Sequence, residues 1–178
     1  MTIDSSNPAV FYHEVQSASE FIADLYRVHA LSLIRLALLL VGDQHSAEDV
    51  VQDAFLGLQR GLPRLREPAK ALPYLRASVV NGCRSVQRAR SRARRQNVQH
   101  TPPVWSAEAA AIASEDRRAV LAAVADLPGR AREVLAFRYY LDLPDREIAE
   151  ILGISRSTVS STASRALVTL ARQLEERM

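Results

Sequence analysis

The sequence predicts an all-α chain: two small helical domains joined by a flexible linker, the C-terminal one containing a helix-turn-helix. Three observations lead there. Aromatic residues make up only 6% of the 178 residues and glycines number six, whereas Ala, Leu, Arg and Glu, which enter helices at low cost, are abundant. Apolar residues recur at spacings of three and four through most of the chain. That period is lost over one long stretch, from Arg95 to about Ser114, where Pro102 and Pro103 stand side by side. With 48% apolar content, a chain of this length can build compact cores in either one medium domain or two small ones.

Residues 1–18 are polar and without period, so a loose arm is expected, with order beginning near Ser19. A first helix is expected from Glu20 to Val41. Phe21, Leu25 and Val28 share a face, and the Leu-rich run from Leu31 to Val41 follows. That run contains Arg35 and falls well short of the roughly 20 apolar residues a bilayer span requires. It reads as a deeply buried helix, with no membrane insertion. Gly42 suits a helix stop.

Ser46 with Asp49 three residues later forms a capping-box pattern. Ala47, Val50, Val51, Ala54, Phe55 and Leu58 follow at helical spacing, predicting a second amphipathic helix that ends near Gly61 and Pro63. Its opposite face presents Asp49, Gln52 and Asp53 within about one turn. By spacing alone this is either a solvated face or a docking surface for a partner.

A third helix is expected from Lys70 to Arg94, with Leu72, Leu75, Val79, Cys83 and Val86 on one side. Arg76, Arg84 and Arg88 repeat at intervals of four or eight on the other, beside Asn81. No acid occurs between Pro68 and Ala107, while eight Lys and Arg do, so this stretch carries +8 within an overall +3 and leaves −5 for the remainder. A cationic stripe with no neighbouring acid to pair with calls for an anion.

Residues 95–114 form the linker. Its Trp105 either docks into a partner or packs on its own domain. The second domain, residues 115–178, opens with a helix from Glu115 to Asp126. Pro128 is tolerated at the start of the next, whose buried side is Val134, Leu135 and Leu141. A short helix from Pro144 to Leu152 and a last one from Ser155 to Glu175 complete it.

The segment from Pro144 to Leu167 fits a helix-turn-helix at several independent positions. Ala149 is small where the two helices meet, Gly153 can take the positive φ of the tight turn, and Val159 plugs the second helix onto the first. Ile148, Ile151, Leu152 and Ile154 complete the core. Ser155 is placed to cap the second helix, leaving Arg156, Ser157, Thr158, Ser160, Ser161, Ser164 and Arg165 at its outer face and start. Short hydroxyls flanked by guanidiniums suit a helix entering a major groove.

Other chemistries find little support. A single cysteine, Cys83, excludes an intramolecular disulfide and any multi-thiolate zinc cluster. It reads as a small buried apolar group. His13, His29, His45 and His100 are scattered, and His45 near Glu48 is joined by no second ligand cluster, nucleophile–base pair or phosphate loop. No enzyme activity, metal or cofactor is expected. The N-terminus lacks a basic start followed by an apolar block, so a cytoplasmic location is expected.

Taken together, residues from about Phe21 to Leu174 resemble the extracytoplasmic-function sigma factors of the sigma-seventy superfamily. The string from Ala47 to Phe55 is similar to the family's segment that contacts the clamp helices of the polymerase largest subunit. The resemblance assigns polymerase binding to Asp49, Gln52, Asp53 and Phe55, and so favours the docking reading of that face. The stretch from Tyr74 through Asn81 and the basic run resemble the segment that engages the minus-ten promoter element. Leu65, Lys70, Arg76, Asn81, Arg84 and Arg88 carry that role by resemblance, with the loop from Leu65 to Lys70 catching an extruded base. Leu127 to Leu135 and the helix-turn-helix resemble the domain that reads the minus-thirty-five element.

The chain departs from the family pattern at Ser85, where Asp is frequent, at Ser160, where Lys is frequent, and at Thr162, where Arg or His is frequent. The string from Val80 to Ser85 resembles an actinobacterial subgroup. The family implies core RNA polymerase and promoter DNA as partners, an anti-sigma factor as regulator and a monomer when free. The alternative from a different class is a dimeric helix-turn-helix repressor with an N-terminal sensing domain, which predicts a dimer on a palindromic site.

Overall fold

A computed structural model describes residues 8–62, 67–95 and 115–176, and the helices and contacts below are those of these residues. Three helices make the first domain: α1 (Pro8–Val41), α2 (Gln44–Gly61) and α3 (Ala71–Arg95), the last entered through a short 3-10 turn at Pro68–Lys70. Four make the second: α4 (Glu115–Asp126), α5 (Gly129–Leu135), α6 (Asp145–Leu152) and α7 (Arg156–Glu175). A π turn at Ala136–Tyr140 prolongs α5. It is closed by the Leu141 amide donating to the Ala136 carbonyl at 3.1 Å. Trp105 and the rest of the expected linker after Arg95 lie outside the described residues.

The backbone of α1 is helical from Pro8, earlier than the order expected from Ser19. A proline in the first turn fits that start, because the amide it lacks would have no helical partner there.

The apolar run of α1 is buried for a specific reason. Leu33, Leu36, Ala37, Leu40 and Val41 are all buried, because α1 is packed by α2 and α3 and also by α4, α5 and the π turn of the second domain. A helix packed from two directions is apolar on most sides from Leu33 onward, but not all round: Arg35 is exposed, and Val28 and Leu31, expected with the buried residues, are 65% and 60% exposed. Val51 and Leu58 of α2 and Leu75, Val79, Val80 and Cys83 of α3 close the first core. Gly82 lets α2 and α3 approach: a Cβ there would lie 2.8 Å from Val50 Cγ1, closer than a side chain tolerates without displacement.

The cap of α2 differs from the capping box expected at Ser46. Asp43, in extended conformation, accepts a hydrogen bond from the Ser46 amide at 2.9 Å. The Ser46 hydroxyl instead accepts from Arg90 Nη2 at 2.9 Å. The helix therefore starts one position after Asp43, and the Arg90 guanidinium bridges Asp43, Ser46 and the Val41 carbonyl. Burial of Asp43 alone would raise its pKa, but the Ser46 amide, Arg90 and the Ser46 side chain together hold it below the ordinary carboxylate value.

In the second domain, Val134, Phe137, Ile148, Val159 and Ala163 are fully enclosed. The helix-turn-helix forms as expected. Gly153 takes φ +65° at the end of α6, the Ile154 amide donates back to the Ala149 carbonyl at 3.0 Å, and the Ser155 hydroxyl accepts from the Thr158 amide at 3.1 Å. Ala149 and Val159 are buried at the crossing, while Ile151 and Ile154 are half-buried. Pro128 stands just before α5 as its N-cap. No described helix is long and apolar enough to cross a membrane.

Candidate nucleic-acid interface

Three surfaces carry the residues singled out from sequence. On α7, Arg156, Ser157, Thr158, Ser160, Ser161, Ser164 and Arg165 are all exposed. The buried side of the same helix is Val159, Ala163 and Ala166, so the residues between them are forced outward by the 3.6-residue turn. Some of the polar groups are already engaged locally. The Ser161 hydroxyl donates to the Thr158 carbonyl at 3.2 Å, and Arg165 Nε donates to the Ser161 carbonyl at 3.2 Å. Arg156 lines an open groove with Arg146, Glu150, Gly153 and Ser155 at the mouth of the turn. A helix N-terminus flanked by guanidiniums favours an anionic ligand.

On α2, Asp49, Gln52 and Asp53 lie together on the exposed face. The Asp49 carboxylate is 59% exposed, and the still more exposed His45 approaches it at 3.6 Å. Phe55 does not share that surface. It is 6% exposed and packs edge-on against the Tyr26 ring, with centroids 5.0 Å apart. It falls on the Ala47, Val51, Ala54 and Leu58 side of the helix, so it supports the face from beneath, whereas Tyr26 and Leu56 remain exposed.

On α3, the basic stripe is only partly free. Asn81 and Arg88 are exposed, and each is tied to a neighbour on the helix. Arg84 Nη1 donates to Asn81 Oδ1 at 3.2 Å, and Arg88 Nη2 donates to the Ser85 hydroxyl at 2.9 Å. Lys70 is exposed and paired with Glu67 at 2.9 Å. Leu65 lies outside the described residues.

Arg84 and Arg76 correct the expectation that the stripe has no acid to pair with. Arg84 forks onto Glu133 of α5, Nε to Oε1 and Nη2 to Oε2, both at 2.7 Å. That hydrogen-bonded pairing raises the Arg84 pKa. Arg76 lies 3.6 Å from Glu147 of α6, and its burial pulls its pKa down against that carboxylate's attraction.

Glu133 is the buried charged residue of the core, its side chain 7% exposed, and Arg130 approaches it as well at 3.2 Å. The two domains meet elsewhere too. Arg132 Nη1 donates to the Leu40 carbonyl at 2.8 Å, where Gln87 Nε2 also donates at 2.7 Å. Burial lowers the Arg132 pKa, and its other terminal nitrogen holds the Ala125 and Leu127 carbonyls at 2.6 and 3.1 Å.

Sequence reasoning missed Glu133, Glu147, Arg132 and Gln87. Their partners lie far along the chain, beyond any helical period. The one signal for them was the −5 balance outside the basic run, which says that acids exist to meet it.

The chain matches the family model for Sigma-70 region 2 over residues 25–95 and that for Sigma-70, region 4 over residues 117–170. The first match contains the α2 face and the α3 stripe; the second contains the helix-turn-helix. ECF RNA polymerase sigma factor SigL of Mycobacterium tuberculosis is 33% identical over 85% of this chain and 88% of its own length. The chain belongs to the extracytoplasmic-function sigma factors.

Other relatives agree. SigM of the same organism is 31% identical over 84% of this sigma factor and 75% of its own length. A probable RNA polymerase sigma factor, RfaY of Xanthomonas campestris, is 28% identical over 95% of this chain, which spans 45% of that relative's length. Among solved structures, CnrH in complex with the cytosolic domain of CnrY superposes with a TM-score of 0.69 at 22% identity, covering 92% of this chain and 95% of its own. The sigma factor RpoE in complex with the anti-sigma factor NepR from Bartonella quintana superposes with a TM-score of 0.67 at 22% identity, covering 85% and 97%. These two share the fold: two helical domains of the same build.

Proposed function

We propose that this sigma factor recruits core RNA polymerase to promoters and assists their opening, acting through binding energy with no covalent step of its own. The observation that carries the reading is the presence, on one chain matched by both family regions, of an exposed acidic face on α2 and an exposed Ser- and Arg-rich recognition helix, α7. In this reading residues 19–94 dock polymerase and meet the minus-ten element, residues 95–114 link, and residues 115–178 meet the minus-thirty-five element.

Asp49, Gln52 and Asp53 bind polymerase, and Phe55 holds their helix in place from the core. Arg76, Asn81, Arg84, Arg88 and Lys70 meet the minus-ten strand, with Leu65 in the loop that takes an extruded base. Unpairing costs a few kcal/mol per base, which pocket contacts and polymerase binding together offset. The sigma factor alone therefore opens DNA poorly. Arg156, Ser157, Thr158, Ser160, Ser161, Ser164 and Arg165 read or grip the upstream duplex. A cytoplasmic protein without enzyme activity follows from this role. An anti-sigma factor is its proposed regulator, by analogy with the Bartonella complex.

Size-exclusion chromatography with purified core polymerase tests the proposal. A stoichiometric complex is expected, weakened on the order of hundredfold by Asp49→Lys with Asp53→Lys, since juxtaposing like charges costs several kcal/mol. Failure to bind polymerase together with dimeric binding to palindromic DNA would instead support the repressor.

A further inference from the structure

We propose that the outward face of α1 is a self-complementary seam through which two copies of this sigma factor pair, antiparallel and reversibly, into a weak dimer.

Leu33, Leu36, Ala37 and Leu40 turn one side of α1 into the core. The opposite side carries Asp24, Val28, Leu31 and Arg35, all exposed. Their spacing of four, three and four residues is that of the seam positions in a pair of helices. Phe21 and Leu38, half-buried against the first core, continue the same spacing at either end. On a straight helix such a row drifts by about 20° per heptad, which turns its two ends part-way inward. A lone exposed aliphatic residue is ordinary, but here two stand together at seam spacing, between an acid and a base.

About its midpoint, between His29 and Ala30, the row is a palindrome. A second copy laid antiparallel across a twofold axis at that point sets Val28 against the partner's Leu31, Asp24 against the partner's Arg35 and Phe21 against the partner's Leu38. Each contact then occurs twice, as an isologous interface requires. A parallel pairing would instead oppose the two Asp24 side chains and the two Arg35 side chains, so charge selects the antiparallel register. Asp24 meets Arg27 of its own helix at 3.0 Å, and a carboxylate has room for a second donor. Arg35 has no ion-pair partner among the described residues. The palindrome names the occupant: it matches a copy of itself, and an unrelated helix gains nothing from the symmetry.

The seam is short. From Phe21 to Leu38 it runs about 25 Å at 1.5 Å per residue, and its six residues from each copy fall well below the roughly 20–30 a side of a standard interface. Pairing is therefore weak, with a Kd on the order of 100 µM. The monomer expected of the free protein holds in dilute solution, and half the chains are paired near that concentration. Because the helix-turn-helix takes no part, this dimer forms without DNA, unlike that of a repressor on a palindromic site.

Sedimentation velocity of the full-length protein, from about 5 to about 500 µM, tests the seam across the expected Kd. The sedimentation coefficient should climb from that of a monomer towards that of a dimer. Arg35→Asp places an acid opposite Asp24, and Asp24→Arg places a base opposite Arg35. Each change alone should weaken pairing at least about tenfold, with helical content by circular dichroism unchanged, since both side chains are exposed. Mixing the two variants should restore a dimer of one chain of each kind at about the parent affinity, because every acid then meets a base. A parent that stays monomeric at about 500 µM, a dimer that survives Val28→Lys with Leu31→Lys, or a mixture no more paired than its components overturns the seam.

Discussion

Two helices in this sigma factor carry outward arginines among short polar residues, and they stand in opposite circumstances. On α7, Arg156 and Arg165 lie on an exposed face with no carboxylate from the first domain near them among the described residues. On α3, Arg84 and Arg76 are held by Glu133 and Glu147 from the other domain. In sequence the α3 stripe is the more in need of an anion, because no acid lies within its helical neighbourhood. The structure supplies the anion from 49 residues away. A local excess of charge marks a binding surface without saying whether the protein's own fold already fills it.

The largest expected effect separates the two helices on DNA. Arg156→Ala with Arg165→Ala should weaken binding of the free protein to duplex carrying the upstream element by about 2–4 kcal/mol. The slope of log affinity against log salt should fall by roughly 0.9 for each phosphate no longer neutralised. Arg84→Ala should change free-protein binding far less, because that guanidinium is already engaged. Equal losses at both sites, measured by anisotropy titration at several salt concentrations, would erase the distinction.

A second test concerns the seat of α3. Gly82→Ala would thrust a methyl group against Val50 and should destabilise the first domain by about 1–3 kcal/mol in a urea titration. Next comes the seat of α7: Ser155→Ala removes the cap on the Thr158 amide and should cost about 1 kcal/mol. The same change should weaken duplex binding, since it would loosen the helix end proposed to meet DNA. A loss of stability without any loss of binding would argue against entry by that end.

These supports are readable in the sequence to different degrees. The helix-turn-helix is legible almost residue by residue, because Ala149, Gly153, Ser155 and Val159 each answer a local demand of backbone geometry or close packing. The α2 face is legible too, with one exception. Resemblance groups Phe55 with the docking residues, yet its helical position places it in the core with Ala54 and Leu58. The expected α2 cap is off by three residues, since Asp43 and Ser46 can each cap a helix and the choice depends on Arg90, which arrives from 47 residues away. The meeting of the two domains is illegible for the same reason. Periodicity reports which side of a helix is buried, not what buries it, and the Leu-rich run of α1 indicates depth without naming its second set of neighbours.

Cys83 provides the smallest test. Burial, followed by the nearby Glu133 charge, pushes its thiol up to about 12 from an ordinary value of 9.0. The folded state thus prefers the neutral thiol. The stability it contributes is present below pH 9 and is lost as pH rises towards 12, where the unfolded chain ionises first. Wild-type protein should therefore lose stability between those values somewhat faster than Cys83→Ala. Alkylation at about pH 8 should be at least about tenfold slower in the folded protein than in urea. Rapid alkylation of the folded chain would mean that this face of α3 opens readily.

The most direct measurement is reconstituted transcription: the purified sigma factor with core RNA polymerase on fragmented genomic DNA, with transcript starts mapped by sequencing. New starts should appear that share two spaced upstream elements and that disappear with Asp49→Lys and Asp53→Lys. Starts no different from those of core polymerase alone would contradict the role of an initiation factor.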